Sequence, residues 1–196
     1  PLRTSSAASD VYKRQLSRGV GNNDLGLDRG QLGNSRIVYF TKRGNKILLI
    51  QPNLRYVSNS SNYLENKAVE EAFARSVLFG FDIIEISNDT YKIDLTPFLI
   101  NDAHGVSQRL KSSNAGSYSL NKSMSAIDLE RTKAFPKNIE FDVILTFTGS
   151  PAGNLVRSVT PTASNLTVNQ HHSFVELPDN NYIKRKFDPR SGSNPF

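Results

Sequence analysis

Residues 19–56 read GVGNNDLGLDRGQLGNSRIVYFTKRGNKILLIQPNLRY, and the expected fold follows from this stretch more than from any other. Its first half is rich in glycine, asparagine and aspartate, which supply backbone freedom and close turns locally. Its second half predicts a β-hairpin, with strands over 36–42 and 46–51 joined by a turn at 43–45. Because the apolar run 47–50 is short and unbroken, we expect the second strand to be covered on both faces, near the centre of a sheet.

A second stretch, residues 62–75, has helical rather than strand periodicity. Leu64, Ala68 and Ala72 recur at four-residue spacing, and Asn62 is available as the N-cap, so we predict a helix over 63–75. Elsewhere, alternating apolar residues and turn signals predict strands over 77–86, 91–95, 125–130, 140–148, 155–159, 166–170 and 173–177, helical turns near 96–100 and 102–110, and a loop over 111–121.

These elements define the expected fold class. It is α+β, predominantly antiparallel β-structure with one clear helix over 63–75 and short helical turns. In the strand over 140–148, alternation places four apolar side chains on one face, namely Phe141, Val143, Leu145 and Phe147. We expect that face to contribute to the hydrophobic core.

The composition fits a single domain and narrows the kinds of partner. The chain has 196 residues, a formal net charge of +6, 37% hydrophobic residues and no cysteine. A chain of this length can bury one hydrophobic core, and the lack of cysteine excludes a disulfide framework. The basic residues are scattered rather than gathered into a stripe, so we expect no nucleic acid partner. No apolar stretch approaches the length of a bilayer span, so we expect no membrane span in this segment.

The three histidines do not form a zincin motif. A zincin helix needs His-Glu-x-x-His so that two imidazoles one turn apart hold the metal, and His104, His171 and His172 lack this spacing. His171 and His172 are adjacent in a predicted strand, so their side chains should point to opposite faces. Serine-hydrolase, phosphate-loop and dinucleotide motifs are also absent from the sequence. We therefore expect no catalytic residue, metal ligand or cofactor in this chain.

Two other groups of residues could have either a functional role or a purely structural one. Asp24 and Asp28 alternate with glycine and leucine as in a calcium loop, but the distant Glu of an EF-hand is missing and aspartates commonly cap turns. His104 lies near Asp94 and Asp102, which could pair with it or cap helix starts. We favour the capping role in both cases.

Six segments along the chain carry a resemblance to a known family. They are GNNDLGLDRGQLG (21–33), LIQPNLRY (49–56), IDLTPFL (93–99), RTKAFPKN (131–138), QHHSFVELPD (170–179) and FDPRSG (187–192). In this order they resemble the domain of unknown function that precedes the zincin peptidase domain in large bacterial zinc-dependent metalloproteases. The resemblance runs over residues 19–192 and so covers most of the chain.

The resemblance implies a function and a cellular location. It implies a non-catalytic N-terminal accessory domain, present here as a metagenomic fragment, that packs against the C-terminal peptidase domain of its own polypeptide and positions or restrains it. Zinc is then expected in that peptidase domain, and a protein or peptide is its substrate. The intact parent would be a zinc metallopeptidase that is secreted, periplasmic or on the outer surface of the envelope.

Domain boundaries follow from composition. Residues 10–15 read DVYKRQ, which resembles a translated sequencing adapter, and the residues before them have no apolar periodicity. We expect a non-native, disordered tail over 1–15, an accessory domain over 16–178 and a linker over 179–196 that leads to the peptidase domain. A native polar tail is the alternative for the first segment.

Candidate contact residues lie in two polar segments. If the domain lines a substrate cleft, we expect contacts from the loop over 21–30 and from residues 170–174, because both concentrate hydrogen-bonding groups. The residues concerned are Asn22, Asn23, Asp24, Asp28, Arg29, Gln170, His171 and His172. Asp28 and Arg29 could instead form an ion pair inside the fold.

Two other functions stay open at this point. One is an independent β-rich module of the cell envelope that binds peptides or glycans, which should be stable and should bind alone. An accessory domain should instead expose a sizeable apolar patch that matches a neighbour. The other is a stand-alone hydrolase that depends on His104 or His172, for which the sequence offers no complete catalytic set.

Overall fold

The computed structural model of the chain describes residues 10–88, 90–178 and 190. Within these residues, eight strands form one curled antiparallel sheet. The strands are β1 (Asp10–Arg18), β2 (Arg36–Arg43), β3 (Lys46–Gln51), β4 (Ser76–Ser87), β5 (Thr90–Ile93), β6 (Gly116–Phe135), β7 (Asn138–Pro151) and β8 (Asn165–Glu176). Their order across the sheet is β5-β4-β3-β2-β1-β8-β7-β6. Two meanders, β2 to β5 and β6 to β8, therefore flank β1.

Helices contribute little to the fold. The described residues contain α1 (Tyr63–Ala72), α2 (Thr96–Leu99), α3 (Val106–Ser112) and a 3₁₀ turn, Asn23–Leu25. Strands account for 51% and helices for 15%. The predicted antiparallel β-structure is confirmed, and mostly β describes the fold better than α+β. In the part of the chain that the structure describes, no helix is both long enough and apolar enough to cross a bilayer.

The two hairpins predicted from local patterns are confirmed. β2 and β3 pair in antiparallel register, and Gly44 in the turn between them has a φ of 57°, a left-handed conformation that favours glycine. β3 also pairs with β4, so the apolar run 47–50 lies inside the sheet as expected. β4 and β5 form the second hairpin.

The prediction that residues 1–15 are disordered is wrong for residues 10–15. These residues belong to β1, which pairs with β2 on one side and with β8 on the other. Tyr12 and Leu16 lie on the same face of β1 and are buried, and the burial of two large side chains stabilises the pairing. The adapter-like origin of the sequence stays a prediction. Residues 1–9, and the predicted linker apart from residue 190, lie outside the described residues.

The hydrophobic core lies on one face of the sheet, which we call the inner face. The alternation predicted over 140–148 is confirmed, since Val143, Leu145 and Phe147 are fully buried there. The inner face is covered by α2, α3, the loop over 19–30 and the turn over 154–160. Buried side chains from this cover are Val20, Leu25, Leu27, Phe98, Leu99, Val106, Leu110 and Val156. The opposite face of the sheet is the outer face.

Helix α1 begins as predicted but packs differently from the expectation. The side-chain oxygen of Asn62 accepts a hydrogen bond from the amide of Leu64 at 2.9 Å, which confirms the N-cap. The helix ends at Ala72 rather than at residue 75, with Phe73 as its C-cap, and none of its residues is buried. Its apolar stripe therefore does not enter the core formed by the described residues.

The loop predicted over 111–121 is confirmed only for residues 113–115, and the strand predicted over 155–159 is wrong. Residues 116–121 are the first part of β6, because they pair with the end of β7. Residues 155–159 instead form helical turns, in which the amide of Thr160 donates to the carbonyl of Val156 at 3.1 Å. Pairing with a neighbouring strand, or its absence, overrides a weak local preference in both segments.

The two strands predicted over 166–170 and 173–177 are one continuous strand, β8. It pairs with β7 along its length and with β1 on its other side. Polar side chains in its middle interrupt the apolar pattern that local analysis relies on. The strand can accommodate them because their side chains find partners, as in the hydrogen bonds from Asn169 to Asp142 at 3.0 Å and from Gln170 to the carbonyl of Asn101 at 3.1 Å.

Candidate functional site

The loop over 21–30, the first predicted contact segment, is anchored to the core. Leu25 and Leu27 are buried beneath it. The amide of Val20 donates to the carbonyl of Leu27 at 2.8 Å and closes the loop. Its polar residues therefore lie on a loop whose backbone is fixed by apolar anchors.

Asn22 uses its side chain inside the protein. Its oxygen accepts a hydrogen bond from the amide of Asp24 at 3.0 Å, and its nitrogen donates to the carbonyl of Leu155 at 3.1 Å. This is a capping and bridging role. Of the other predicted contact residues in the loop, Asn23, Asp24 and Arg29 are exposed and Asp28 is half-buried.

The loop does not assemble a recognisable cation site. Asp24 is exposed, whereas the backbone carbonyl of Asp28 accepts a hydrogen bond from the amide of Gln31 at 3.1 Å and closes a turn. Across residues 10–88 and 90–178, no group of three or more histidine, aspartate or glutamate side chains has an arrangement that could hold a metal ion. The turn-closing role is the one that the geometry displays.

β8 divides the second predicted contact segment between two faces. Gln170 and His172 are fully buried on the inner face, whereas His171 is half-buried on the outer face. The expectation that the two histidines point to opposite faces is confirmed, since successive side chains alternate along a strand. Of these three residues, only His171 reaches the protein surface.

Gln170 and His172 form a hydrogen-bonded network within the core. Gln170 Nε2 lies 2.7 Å from Nε2 of His172 and 3.1 Å from the carbonyl oxygen of Asn101, and Gln170 Oε1 accepts from the amide of His104 at 2.9 Å. Because an amide nitrogen only donates, Nε2 of His172 accepts. The ring proton is therefore on Nδ1, which donates to the hydroxyl of Tyr12 at 2.7 Å.

The electrostatics of this network agree with a structural role. Burial lowers the pKa of His172 to about 3, and the charges of His171 and Arg14 act in the same direction. Burial raises the pKa of Tyr12 to about 12. Both side chains are therefore neutral near pH 7, as groups with complete hydrogen bonding in a core should be.

The capping role favoured for Asp94 and Asp102 is confirmed. The Asp94 carboxylate accepts from the amide of Thr96 at the start of α2, at 2.8 Å. The Asp102 carboxylate accepts from the amides of Val106 and Ser107 at the start of α3, at 2.7 and 2.9 Å. These bonds satisfy amides that have no partner within their helices.

His104 does not form a hydrogen-bonded pair with either carboxylate. Its Nδ1 atom is buried and has no hydrogen-bond partner in the part of the chain that the structure describes. Burial, together with the charges of Arg14 and Arg109, lowers the pKa of His104. With His172 fully engaged, the stand-alone hydrolase considered from the sequence has no arranged nucleophile and base among the described residues.

On the outer face, His171 lies between two carboxylates that the sequence analysis did not single out. Its Nε2 atom is 2.5 Å from Oε2 of Glu140, and its Nδ1 atom is 3.4 Å from Oδ2 of Asp142. The Ser173 hydroxyl donates to Oε1 of Glu140 at 2.9 Å. Nε of Arg131 lies 3.5 Å from Oδ2 of Asp142. We call Glu140, Asp142 and His171 the outer-face cluster.

Hydrogen bonds and a neighbouring positive charge keep the Asp142 carboxylate of this cluster ionised. Burial alone would raise the pKa of Asp142, but hydrogen bonds from His171 and Asn169 and the charge of Arg131 together lower it to about 2. In the sequence, the only sign of this cluster is the alternation of polar residues in two separate strands. The β7–β8 register decides which of these residues lie next to each other, and that register is set by long-range pairing.

A further feature that the sequence analysis missed as a contact site is an exposed apolar surface. It includes α1 and the connection that precedes it, and its large side chains are 38–73% exposed. The ring centroids of Tyr56 and Phe73 stack at 4.1 Å with an interplanar angle of 9°. The residues that we call the 54–73 surface are Leu54, Tyr56, Val57, Tyr63, Leu64 and Phe73.

A groove of about 340 Å³ adjoins this surface. Pro52 and Leu54 contribute apolar walls, and Gln51, Asn53 and Arg55 contribute polar ones. The groove lies where the β3–β4 connection leaves the sheet. It is therefore continuous with the 54–73 surface through Leu54.

Comparison with known proteins identifies a family. No curated protein and no solved structure matches the chain. The family model described as "Domain of unknown function (DUF5117)" matches residues 30–194, which is well over half of the chain. The fold, with its curled antiparallel sheet and covered inner face, is accordingly a fold adopted by a member of that family. The chain belongs to the DUF5117 family of domains of unknown function.

Proposed function

We propose that this chain is a non-catalytic accessory domain that docks through the 54–73 surface onto the peptidase domain of a bacterial zinc-dependent metalloprotease. That peptidase domain lies C-terminal to it in the same polypeptide and carries the zinc, and a protein or peptide is its substrate. The docked domain positions or restrains its neighbour. The parent protein is secreted, periplasmic or on the outer surface of the envelope.

The observation that carries the proposal is the packing of α1. The helix has an N-cap, an i,i+4 ion pair between Lys67 and Glu71 and an apolar stripe, yet none of its residues is buried. Tyr63 and Leu64 are 73% and 70% exposed. Burying two side chains of this size against a partner would contribute roughly 3–6 kcal/mol. Large apolar side chains that stay exposed near one another, as Tyr63 and Leu64 do, are typical of a protein interaction site.

The 54–73 surface is also held in shape before any partner binds. Asn53 donates from its side chain to the carbonyl of Ala74 at 3.3 Å, and its side-chain oxygen accepts from the amide of Arg55 at 3.1 Å. The stacked rings of Tyr56 and Phe73 join the two ends of the segment. A preorganised surface loses less conformational entropy on docking, which favours binding.

The polar segments chosen from the sequence have a smaller part in this proposal. Gln170 and His172 are buried, and the Asn22 side chain is engaged within the protein. The predicted contact residues that reach the surface are Asn23, Asp24, Asp28, Arg29 and His171. They stay predicted contact residues, and polar contacts that they make with a docked neighbour would contribute little affinity.

The test begins with the reading frame that surrounds this sequence, in which we expect a His-Glu-x-x-His helix in the following domain. The chain and that domain are then expressed separately, and their binding is measured by isothermal titration calorimetry. Leu64→Asp should weaken binding at least tenfold. Because an acidic residue in the first turn suits the helix dipole, α1 should keep its fold in this variant.

Leu129→Asp is the matched control. Leu129 is 78% exposed on β6 and lies outside the 54–73 surface, so this variant should bind like the unchanged chain. Equal weakening by both variants, or no binding by the unchanged chain, would contradict docking through this surface. A reading frame without a peptidase domain would contradict the protease parentage.

The groove beside the 54–73 surface favours a second candidate, the independent module that binds extended peptides or glycans. Its mixture of proline, leucine, amide and guanidinium groups suits a ligand with both apolar and polar parts. This candidate predicts that the isolated chain binds members of a peptide or oligosaccharide array, and that Arg55→Ala abolishes the binding. If no member of the array binds the chain, the independent-module candidate is contradicted.

A further inference from the structure

We propose that Glu140, Asp142 and His171 form a proton-operated clamp between β7 and β8. The clamp is closed while both ring nitrogens of His171 carry protons, and it opens when the ring loses one of them as the pH rises. The inference concerns the outer face of the sheet and does not depend on the proposed docking function.

The clamp connects two neighbouring strands across the outer face. Asp142 and His171 are opposite each other in the β7–β8 register, and Glu140 is opposite Ser173, two residues along. The side chain of Asp142 is 1% exposed, and those of His171 and Glu140 are 21% and 18% exposed. Water therefore screens the charges in this cluster only weakly.

The hydrogen bonds of the cluster specify its protonation. Oε1 of Glu140 accepts from Ser173 at 2.9 Å, and Oδ1 of Asp142 accepts from Asn169 at 3.0 Å. The remaining oxygens of both carboxylates face the two ring nitrogens of His171. Ionised carboxylates only accept, so each facing nitrogen needs a proton. A neutral imidazole has one N–H and would turn a lone pair towards one carboxylate.

Strand β6 supplies further charges next to the cluster. Nε of Arg131 lies 3.5 Å from Oδ2 of Asp142. Lys133 is opposite Glu140, and Asp128 is opposite Asp142, in the β6–β7 register. In the protonated state, the imidazolium and Arg131 both lie beside the two carboxylates. Loss of the proton removes the positive charge of His171 and one of its two N–H donors to these carboxylates.

Strands β1 and β8 supply the other facing groups. Lys13 lines a groove on the outer side that Glu140 and His171 also line, whereas Arg14 is opposite His172 in the β1–β8 register and so lies on the inner face. His172, on the inner face, is neutral because burial lowers its pKa to about 3. Asp142, and with it Glu140, holds the pKa of His171 above its usual range, against the opposing effect of burial. The pKa values of these two adjacent histidines are therefore shifted in opposite directions from the ordinary value.

The raised pKa determines the direction of the pH dependence. An unfolded histidine titrates near pH 6.5, so below that pH the ring is protonated in both states and the clamp's stabilisation is fully present. The stabilisation is lost as the pH rises through the folded pKa of His171. Since one proton is involved, the unfolding equilibrium changes by at most about tenfold per pH unit in this window.

The first experiment is an NMR titration of the histidine ring signals of the full chain between about pH 5 and 10. The His171 signal should titrate with a midpoint above about 6.5, the ordinary value for histidine, and the His172 signal should not titrate in this range. Hydrogen exchange, corrected for its intrinsic pH dependence, should show that the β7 and β8 amides lose protection above the His171 midpoint.

Two variants identify the partner responsible. Glu140→Gln removes one facing charge and should lower the His171 midpoint, whereas Glu85→Gln, at an exposed position paired with Lys92, should leave it unchanged. A His171 midpoint at or below about 6.5 in the unchanged chain would overturn the proposal without any variant. So would an unaltered midpoint in Glu140→Gln, or protection of β7 and β8 that stays constant across the midpoint.

Discussion

The side-chain nitrogen of Asn22 donates a hydrogen bond to the carbonyl oxygen of Leu155, 3.1 Å away and 133 positions along the chain. This bond joins the loop over 21–30 to the turn over 154–160, two irregular segments that cover the inner face of the sheet. The same side chain caps the 3₁₀ turn at Asn23–Leu25. Since neither segment is a strand of the sheet, side-chain hydrogen bonds such as this one hold the loop and the turn in place relative to each other.

Replacing Asn22 should therefore destabilise the chain more than replacing its neighbour. We expect Asn22→Ala to lower the free energy of unfolding by about 1–2 kcal/mol, because it removes a cap and a bridging hydrogen bond. Asn23→Ala, at an exposed position in the same turn, should change it by less than about 0.5 kcal/mol. Urea unfolding of both variants measures the difference, and equal losses would contradict the bridging role.

Gln170 should tolerate replacement poorly although it is polar. Gln170→Leu leaves the amide of His104 and the carbonyl of Asn101 without their partner, so we expect a loss of about 2–4 kcal/mol in the free energy of unfolding. Asn165→Leu changes an exposed position on the same strand and should be nearly neutral. Retention of full stability by Gln170→Leu in urea unfolding would show that the network contributes nothing.

Gly149 should be replaceable only at high cost, because β6 approaches it closely. A Cβ atom at this position would collide with the carbonyl oxygen of Ser117 and would lie 2.7 Å from Cα of Tyr118. We expect Gly149→Ala to cost about 3 kcal/mol through overpacking.

Gly153 provides the control for that variant. Its φ is 61°, and no atom lies within 4 Å of a Cβ placed there, so Gly153→Ala should cost only about 1 kcal/mol of backbone strain. Thermal unfolding should show a larger loss of stability for Gly149→Ala than for Gly153→Ala. A larger loss for Gly153→Ala would contradict the observed closeness of β6 and β7.

Asp142 should stabilise the fold in a pH-dependent way. Its folded pKa of about 2 is below the ordinary value of 3.8, so its contribution is present above pH 4 or so and is lost as the pH falls through the folded pKa. We expect Asp142→Asn to cost about 2 kcal/mol near pH 5, with the difference shrinking towards pH 2. Asp82→Asn, at a side chain that is 79% exposed, should show a small difference at both pH values. A pH-independent loss in Asp142→Asn would contradict the ionised cluster.

Local patterns were sufficient for part of the fold. The β2–β3 and β4–β5 hairpins were predictable because each strand pairs with its neighbour in sequence across a short turn. The start of α1 was predictable because its N-cap Asn62 immediately precedes the helix. The loop predicted over 111–121 failed for residues 116–121 because the pairing of β6 with β7 extends the strand into a segment that has little strand preference of its own.

The candidate contact residues were less predictable than the hairpins. Polarity drew attention to Gln170 and His172, which the structure buries in complete hydrogen-bonding networks, because a sequence shows that a group is polar but not what satisfies it. The exposed stripe of α1 was identified as apolar, yet its lack of a covering partner among the described residues could not be read from periodicity.

Local sequence patterns were enough to predict the mostly antiparallel architecture, the two local hairpins, the start of α1 and the opposite orientation of His171 and His172. Each of these follows from the two-residue or four-residue spacing of neighbouring side chains, which acts over a few residues. Two relationships could be seen only in the folded chain: β1 lies between the two meanders, and Glu140 and Asp142 face His171. These relationships depend on the pairing of strands far apart in the chain, and that pairing follows from burial of the whole inner face rather than from any single segment.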